Sequence, residues 1–261
     1  MASEEQAKIK LYWLEKSRAQ NILWLLEELK IDYELETFHR VNMLAPPELK
    51  NIHPLGKSPV ISITPPGSTE PMVLAESGFI TQYLSEHFGQ DTTLIPKRWK
   101  DGQEGKVGGE TEQWLRWQYY LHYVEGSLMS MLVMAMILGT LKSPNIPFFI
   151  RPLTSMVANQ ILGRLVLPNA KSHLGFLEKQ LETSGGDYIC GADLTSADIL
   201  LSFGLIAAKD KFETFGTWEE GGPAALYPKV FAYIDRLESH PGYKRSAEKI
   251  KEIDASFGIK F

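Results

Sequence analysis

The sequence contains almost no cysteine: in 261 residues, Cys190 is the only one. A single cysteine excludes a disulfide framework and a Cys-x-x-C redox pair. The six histidines are scattered, and none forms a pair at the helical spacing typical of a zinc site. We therefore expect no metal, and a protein of a reducing compartment such as the cytoplasm.

The sequence also lacks an excess of basic charge and a long apolar run. Lys and Arg number 27 against 32 Asp and Glu, for a net charge of −5, which argues against a nucleic-acid partner. The longest strongly apolar run, at 128–138, is 11 residues long, so it predicts a buried helix rather than a transmembrane segment. The start of the chain has no secretory signal pattern. A cytoplasmic protein is expected, and peripheral membrane association stays open.

The pattern of apolar residues divides the chain into two halves. Residues 9–95 alternate between strand and helix signals in the order β-α-β-α-β-β-α, with the first unit parallel. The predicted strands are 9–14, 33–38, 59–63 and 72–75, and the predicted helices are 18–30, 45–52 and 77–88.

Beyond residue 88 the strand signals stop. Residues 89–109 carry five glycines and no apolar period, which is typical of a linker. The predicted helices that follow are 110–138 with a kink near Gly126, 153–184 with a break around Pro168, 195–209 and 227–240. We therefore predict an α/β domain at 1–92, a linker at 93–109 and an all-helical domain at 110–261.

Ser17 is the first candidate for chemistry. It precedes a predicted helix and forms a Ser-x-x-Gln pattern with Gln20, which indicates a capping box and could be its whole role. A serine hydroxyl and a helix N-terminus would also stabilise an anion such as a thiolate. No cysteine lies in this turn, so a thiol would have to arrive with a substrate.

Two further junctions suit the ends and the backbone of a short peptide. Glu76 and Ser77 stand where a strand gives way to a helix. Ser77 could be a plain N-cap, or the pair could form a ligand site in which Glu76 holds an ammonium and Ser77 a carboxylate. Pro59 precedes an apolar strand, either as a plain turn-to-strand junction or as a cis-proline. A cis Pro59 would leave the main chain of Ser58 free to pair with a peptide. The three junctions together predict a site for a short peptide with a central thiol and charged ends.

Five motifs in order carry a resemblance over nearly the whole chain. They are Ser17-Arg18 with "LWLLEEL" at 23–29, "HPLGKSPV" at 53–60, "AESGFITQYL" at 75–84, "LHYVEGSLM" at 121–129 and "GADLTSADILLSF" at 191–203. The chain resembles the glutathione S-transferases, in particular a fungal and bacterial group. The resemblance implies an α/β thioredoxin-like N-terminal domain, an all-α C-terminal domain and a homodimer.

The resemblance also assigns roles within the site. It implies that Ser17 activates the glutathione thiol, that Lys57, Ser58, Glu76 and Ser77 hold the tripeptide, and that Pro59 is the cis-proline. Arg40, His53 and Lys57 compete for the glycine end of glutathione, and a structural role for His53 is an equal alternative to a ligand role. Tyr12 on the first strand is an alternative activator to Ser17, because other classes of the family use a tyrosine there. In the motif at 191–203, Thr195 and Asp198 are expected to form a capping box that serves folding.

The acceptor pocket is expected beside the first helix of the second domain, with Tyr119 and Tyr123 facing it and most of the methionines that follow in the core. Segment 139–156 could form the rim of that pocket or a patch facing a membrane. The predicted function is conjugation of glutathione to hydrophobic electrophiles, with organic hydroperoxides as further substrates. The alternative is a non-catalytic regulatory or binding module. A cysteine-based thiol transferase is disfavoured, because it needs a cysteine where Ser17 stands.

Overall fold

The first half of the chain is a four-stranded sheet with helices packed against it. A computed structural model describes residues 6–258. The strands are β1 (Lys8–Leu14), β2 (Tyr33–Phe38), β3 (Val60–Thr64) and β4 (Met72–Ala75), and the helices are α1 (Ala19–Leu29), α2 (Leu49–Ile52) and α3 (Ser77–Phe88). The strands lie in the order β2-β1-β3-β4; β1 and β2 are parallel and the other pairs are antiparallel. The predicted element order, with its parallel first unit, is confirmed.

Side-chain alternation along β1 decides which face of the sheet is covered. Ile9, Leu11 and Trp13 are buried toward α1, while Tyr12 between them points to the opposite face. Helix α1 is buried almost all round, because the helical half of the protein packs against the side that the sheet leaves open. The turn between β1 and α1 is thereby held between the two halves.

The second half is helical. Its helices are α4 (Glu112–Tyr123), α5 (Met129–Thr140), α6 (Arg151–Ile161), α7 (Leu167–Thr183), α8 (Ser196–Ala208), α9 (Gly222–Leu226), α10 (Pro228–Ser239) and α11 (Pro241–Ile253). From residue 76 to residue 258, the end of the described part, no further strand joins the sheet. The fold is thus a thioredoxin-like α/β half followed by an all-α half, as predicted.

Two π-helical turns interrupt the long helices. The turn Val124–Leu128 joins α4 to α5 and contains Gly126, where a kink was predicted. The turn Leu162–Val166 joins α6 to α7 just ahead of Pro168. The predicted break at Pro168 is therefore wrong in form: the helical backbone runs on through the proline, and the irregularity is the π turn just before it.

Two other expectations about the helical half need correction. The apolar run 128–138 is only partly buried, because α5 is covered on one side and Met134, Met136 and Ile137 are exposed. No sequence prediction covered α11, which packs against α1. Tyr243 and Ile250 are buried at helical spacing in α11, and this pattern could have revealed it.

Buried polar contacts fasten the two halves to each other beside the β1–α1 turn. The Asn21 amide donates to the Leu200 carbonyl oxygen at 2.8 Å, and the Ser202 hydroxyl donates to the Asn21 side-chain oxygen at 3.2 Å. The Gln20 amide donates to the Ser246 hydroxyl at 2.9 Å. Because unpaired buried polar groups are costly, these bonds favour one arrangement of the helical half against α1.

One continuous helix, Glu112–Thr140, is long and apolar enough to cross a bilayer. Half of its most apolar stretch is buried inside the fold, and core helices pass the same test. Length and composition are therefore weak evidence for a membrane span.

Candidate active site

A cavity of about 400 Å³ opens where the sheet half meets the helical half. One wall is polar and comes mainly from the turns after β1 and before β3, and the facing wall is apolar and comes from α5 and α8. The lining residues are Glu15, Lys16, Ser17, Arg18, Arg40, Met43, Ser58, Met129, Val133, Met136 and Phe203. A polar turn at a helix N-terminus thus faces a pocket suited to an apolar ligand.

Ser17 lies in the turn just before α1 and is nearly buried, with 6 % of its surface exposed. Its hydroxyl donates to the Leu14 carbonyl oxygen at 2.7 Å and accepts from the Ala19 N–H at 3.2 Å. The preceding residue, Lys16, has a left-handed backbone with φ of 50°. This arrangement puts the Ser17 oxygen beside the positive end of the α1 dipole, where a negative charge is stabilised.

The predicted capping box between Ser17 and Gln20 does not form. The Gln20 side-chain oxygen accepts from the Trp13 indole N–H at 3.1 Å, and its amide donates to Ser246. Because Trp13 and Ser246 bind the Gln20 side chain, that side chain does not bond back to the start of α1 as a capping box requires. The Ser17 hydroxyl proton is already donated to the Leu14 carbonyl oxygen, so a thiolate would have to draw the hydroxyl away from that carbonyl.

The Ser58–Pro59 peptide bond is cis, as the sequence predicted. The Ser58 hydroxyl lies 3.2 Å from the Ser17 hydroxyl, so the two side chains meet at the cavity. Within residues 6–258, the main-chain N–H and C=O of Ser58 form no backbone hydrogen bond. They remain available to an extended peptide.

Glu76 and Ser77 stand at the start of α3. Glu76 is exposed and has φ of 73°, an unusual conformation for a residue other than glycine, and such strain of about 1–3 kcal/mol concentrates at functional sites. Ser77 is buried, with its hydroxyl turned toward the helical half.

Glu125 joins two parts of the site, and the sequence analysis missed it. Its carboxylate receives a hydrogen bond from the Ser77 hydroxyl and forms an ion pair with the Arg18 guanidinium. Glu125 lies on the π-helical turn after α4, and such turns are frequent at functional sites. The motif at 121–129 contains this residue, but its contacts span 48 and 107 residues of sequence and leave no local signal.

Of the three residues expected to compete for the glycine end, Arg40 alone is among the cavity-lining residues. Its guanidinium donates to the carbonyl oxygens of Glu15 at 3.0 Å and Lys16 at 3.0 Å. His53 closes α2 and is half-buried, its ring nitrogen accepting from the Leu55 N–H at 3.4 Å. Lys57 is exposed, one residue before Ser58.

Glu15 sits at the rim of the cavity with an ionised carboxylate. Burial alone would raise its pKa, but hydrogen bonds from backbone N–H groups, including that of Arg40 at 2.7 Å, outweigh burial and lower the pKa below its usual value. The hydrogen bond from the Arg40 N–H holds the Glu15 carboxylate in place, and it fixes this part of the polar wall.

Tyr12 and Ser17, the two candidates for the residue that activates the thiol, have different surroundings. The Tyr12 hydroxyl lies 3.4 Å from the Ser62 hydroxyl on β3, and Tyr12 is not among the residues that line the cavity. Ser17 does line the cavity. The geometry therefore favours Ser17 over Tyr12 as the residue that meets a thiol.

Tyr119 and Tyr123 do not face this cavity, so their predicted placement is corrected. They stack on each other, with ring centroids 5.5 Å apart, and pack against Phe176 of α7. The Tyr123 hydroxyl is 2.7 Å from the His173 ring nitrogen. The apolar wall comes instead from the part of the helix beyond the π turn.

The lone cysteine is unsuited to thiol chemistry. Cys190 is 1 % exposed, and burial raises the pKa of its thiol well above the usual value.

Thr195 and Asp198 form the expected capping box at the start of α8. Among residues 6–258, no group of three or more His, Cys, Asp or Glu residues is placed to hold a metal ion.

The site and the fold together define a class: a thioredoxin-like domain in which the turn before the first helix presents a hydroxyl to a cavity shared with an all-helical domain. The family model described as "Glutathione S-transferase, N-terminal domain" matches residues 7–86, and the corresponding C-terminal domain model matches residues 158–246. Glutathione S-transferase 1 of Saccharomyces cerevisiae is 34 % identical over 250 residues, covering 95 % of this chain and 98 % of the yeast protein. The chain belongs to the glutathione S-transferase family and is an enzyme of that type.

Solved structures agree with this assignment. A glutathione S-transferase from Actinobacillus pleuropneumoniae superposes with a TM-score of 0.63 at 28 % identity, covering 96 % of this chain and 94 % of that one. A glutathione transferase homologue from Lodderomyces elongisporus, solved with two glutathione molecules per subunit, has a TM-score of 0.64 at 20 % identity and covers 93 % of this chain and 98 % of that one. The second likeness concerns the fold alone.

Proposed function

We propose that this protein transfers the glutathione thiolate to hydrophobic electrophiles, with Ser17 stabilising the thiolate. The observation that carries the proposal is the composition of one cavity: Ser17 on its polar wall faces Met129, Val133 and Phe203 on its apolar wall. A sulfur held at Ser17 would therefore meet an apolar acceptor without leaving the cavity.

In the proposed reaction, glutathione loses its thiol proton to water on binding. The Ser17 hydroxyl turns from the Leu14 carbonyl to donate to the sulfur, and the α1 N-terminus adds its positive potential. The thiolate then attacks an electrophilic carbon; a C–S bond forms and a leaving group departs with its electron pair. An organic hydroperoxide is a second acceptor. Thiolate attack on its outer oxygen breaks the O–O bond, forms the sulfenic acid of glutathione and, with a proton from water, releases the alcohol; a second glutathione condenses with the sulfenic acid to give glutathione disulfide and water.

The tripeptide would be held at several points around this turn. The free main chain of Ser58 suits the cysteinyl backbone, and Ser77 and Glu76 suit the carboxylate and ammonium of the γ-glutamyl end. Lining of the cavity supports Arg40 for the glycine carboxylate over His53 and Lys57. The Lodderomyces homologue binds glutathione on the same fold.

The broader organisation follows the same proposal. We place the glutathione-binding domain at 1–92, the linker at 93–109 and the electrophile-binding domain at 110–261. A cytoplasmic homodimer without a metal or a nucleic-acid partner is the proposed form of the enzyme.

Turnover with glutathione and a chloronitrobenzene acceptor tests the proposal. Removing a hydrogen bond to a charged group costs about 1.5–3 kcal/mol, so Ser17→Ala should cut turnover about 10- to 100-fold at neutral pH and recover part of it at high pH. Tyr12→Phe is the matched control and should stay active. Loss of activity in Tyr12→Phe with full activity in Ser17→Ala would reject the assignment of Ser17.

A further inference from the structure

Helix α6 turns its apolar face outward. Leu153, Met156, Val157 and Ile161 lie at helical spacing on one side of the helix, and each is exposed. Ala158 is the one residue of α6 that is buried. In a globular domain the apolar stripe of such a helix normally faces the core, so this face is unpaired within the described chain.

The loop before α6 and the end of α5 extend the same surface. Phe148 and Phe149 are 80 % and 72 % exposed. The Thr154 hydroxyl donates to the Leu141 carbonyl oxygen at 2.7 Å, which fixes the start of α6 against the end of α5. We call this surface the apolar tip; its exposed members are Ile137, Phe148, Phe149, Ile150, Leu153, Met156, Val157 and Ile161.

The stretch of chain that carries the apolar tip has charged side chains of one sign only. Residues 126–177 contain no Asp or Glu, although the whole chain has 32 of them. The same stretch contains Lys142, Arg151, Arg164 and Lys171, and in the described part of the chain Lys171 alone of these four has a salt bridge, to Glu219. Within residues 6–258, Lys142 and Arg164 have no carboxylate within salt-bridge distance.

We propose that the apolar tip docks on an anionic lipid bilayer surface. Aromatic and aliphatic side chains enter the boundary between headgroups and acyl chains, and the unpaired cations meet anionic headgroups. Self-association through the tip is disfavoured, because a twofold contact would bring the same positive charges of two copies together. Net charge of −5 over the whole chain makes this local positive surface the side that an anionic membrane attracts.

The tip adjoins the cavity along one helix. Met136 lines the cavity, and the next residue, Ile137, belongs to the tip. Docking there would bring the cavity close to apolar compounds dissolved in the bilayer. This last consequence rests on the proposed function, whereas lipid binding itself does not.

Vesicle flotation of the full-length protein tests the docking. The wild type should bind vesicles of phosphatidylcholine mixed with phosphatidylserine and bind phosphatidylcholine alone weakly. Phe148→Ser with Phe149→Ser should lower binding to the mixed vesicles roughly tenfold or more. Lys142→Gln with Arg164→Gln should lower it about fivefold per charge, and the matched pair Lys179→Gln with Lys229→Gln should not.

Turnover and light scattering separate the possible failures. All variants should retain wild-type turnover, which would show that they are folded. A wild type that has no turnover but still binds vesicles would reject the proposed function and leave the docking proposal standing. Absence of wild-type binding to the mixed vesicles overturns the docking. The docking is also overturned if the tip pair and the control pair of charge variants lose vesicle binding equally. It is overturned as well if light scattering shows that the aromatic double variant dissociates into monomers and this variant still binds vesicles.

Discussion

The carboxylate of Glu125 is predicted to tie the helical half to the two junctions that form the site. It accepts a hydrogen bond from Ser77 and pairs with Arg18, so one side chain of the helical half contacts the starts of both α1 and α3. Replacing it by alanine should leave an unpaired guanidinium and an unpaired hydroxyl at the domain junction. Both losses should lower the free energy of unfolding.

The magnitude follows from the type and exposure of the two contacts. A hydrogen bond to a charged group contributes about 1.5–3 kcal/mol. Glu125 and Arg18 have side chains 24 % and 34 % exposed, so solvent screening reduces their share. We expect Glu125→Ala to cost about 2–3 kcal/mol, and Glu125→Gln, which keeps an acceptor oxygen but loses the charge, to cost about 1 kcal/mol.

Urea unfolding of a double-mutant cycle measures this directly. With Arg18→Met as the second substitution, the coupling to Glu125→Ala should be about 1–2 kcal/mol. Calorimetry should also show weaker glutathione binding in Glu125→Ala, because Ser77 loses the group that orients it. Additive effects of the two substitutions, within about 0.5 kcal/mol, would refute the tie.

Three further substitutions probe separate parts of the site and its support. Glu76→Ala should weaken glutathione binding about tenfold or more by calorimetry, while Glu86→Ala on the same helix should not; equal binding by both variants would contradict the head-group assignment. Val133→Trp fills the apolar wall, so KM for the electrophile should rise while glutathione affinity holds, and an unchanged electrophile KM would count against this wall. Burial lowers the pKa of His173 below 6.5, so the unfolded state takes up the proton more readily and the free energy of unfolding should fall as the pH drops below that value. His173→Gln should flatten this fall in urea titrations at several pH values, and a slope equal to that of the wild type would show that His173 is not the source.

Much of the fold could be predicted from local patterns. The helix α1, the strand β1 and the Thr195–Asp198 capping box are set by residues near one another in sequence, and each is found in the structure. Pro59 was expected to be cis on motif and position, and it is.

The contacts that could not be predicted from the sequence join residues far apart along the chain. Gln20 has the sequence position of a capping partner, yet Trp13 and Ser246 bind its side chain instead. From the sequence alone, Glu125 would be predicted to be a solvent-exposed helix glutamate. Its ion pair with Arg18 forms only in the folded protein. Local propensity carries no information about such partners.

The misplaced tyrosines have a geometric cause. Tyr119 and Tyr123 precede the π turn, whereas Met129 and Val133 follow it on what the sequence presents as one helix. The extra residue in a π turn rotates the next helix by about 100° relative to a continuous α-helix. A face extrapolated through residue 126 therefore points in the wrong direction.

The central claim is that the Ser17 turn ionises the glutathione thiol. Its most direct test is a pH titration of thiolate absorbance with glutathione bound to the wild type, to Ser17→Ala and to Tyr12→Phe. The account predicts a bound thiol with a pKa near neutrality in the wild type and Tyr12→Phe, raised by about one to two units in Ser17→Ala. An unchanged pKa in Ser17→Ala together with a raised one in Tyr12→Phe would contradict it.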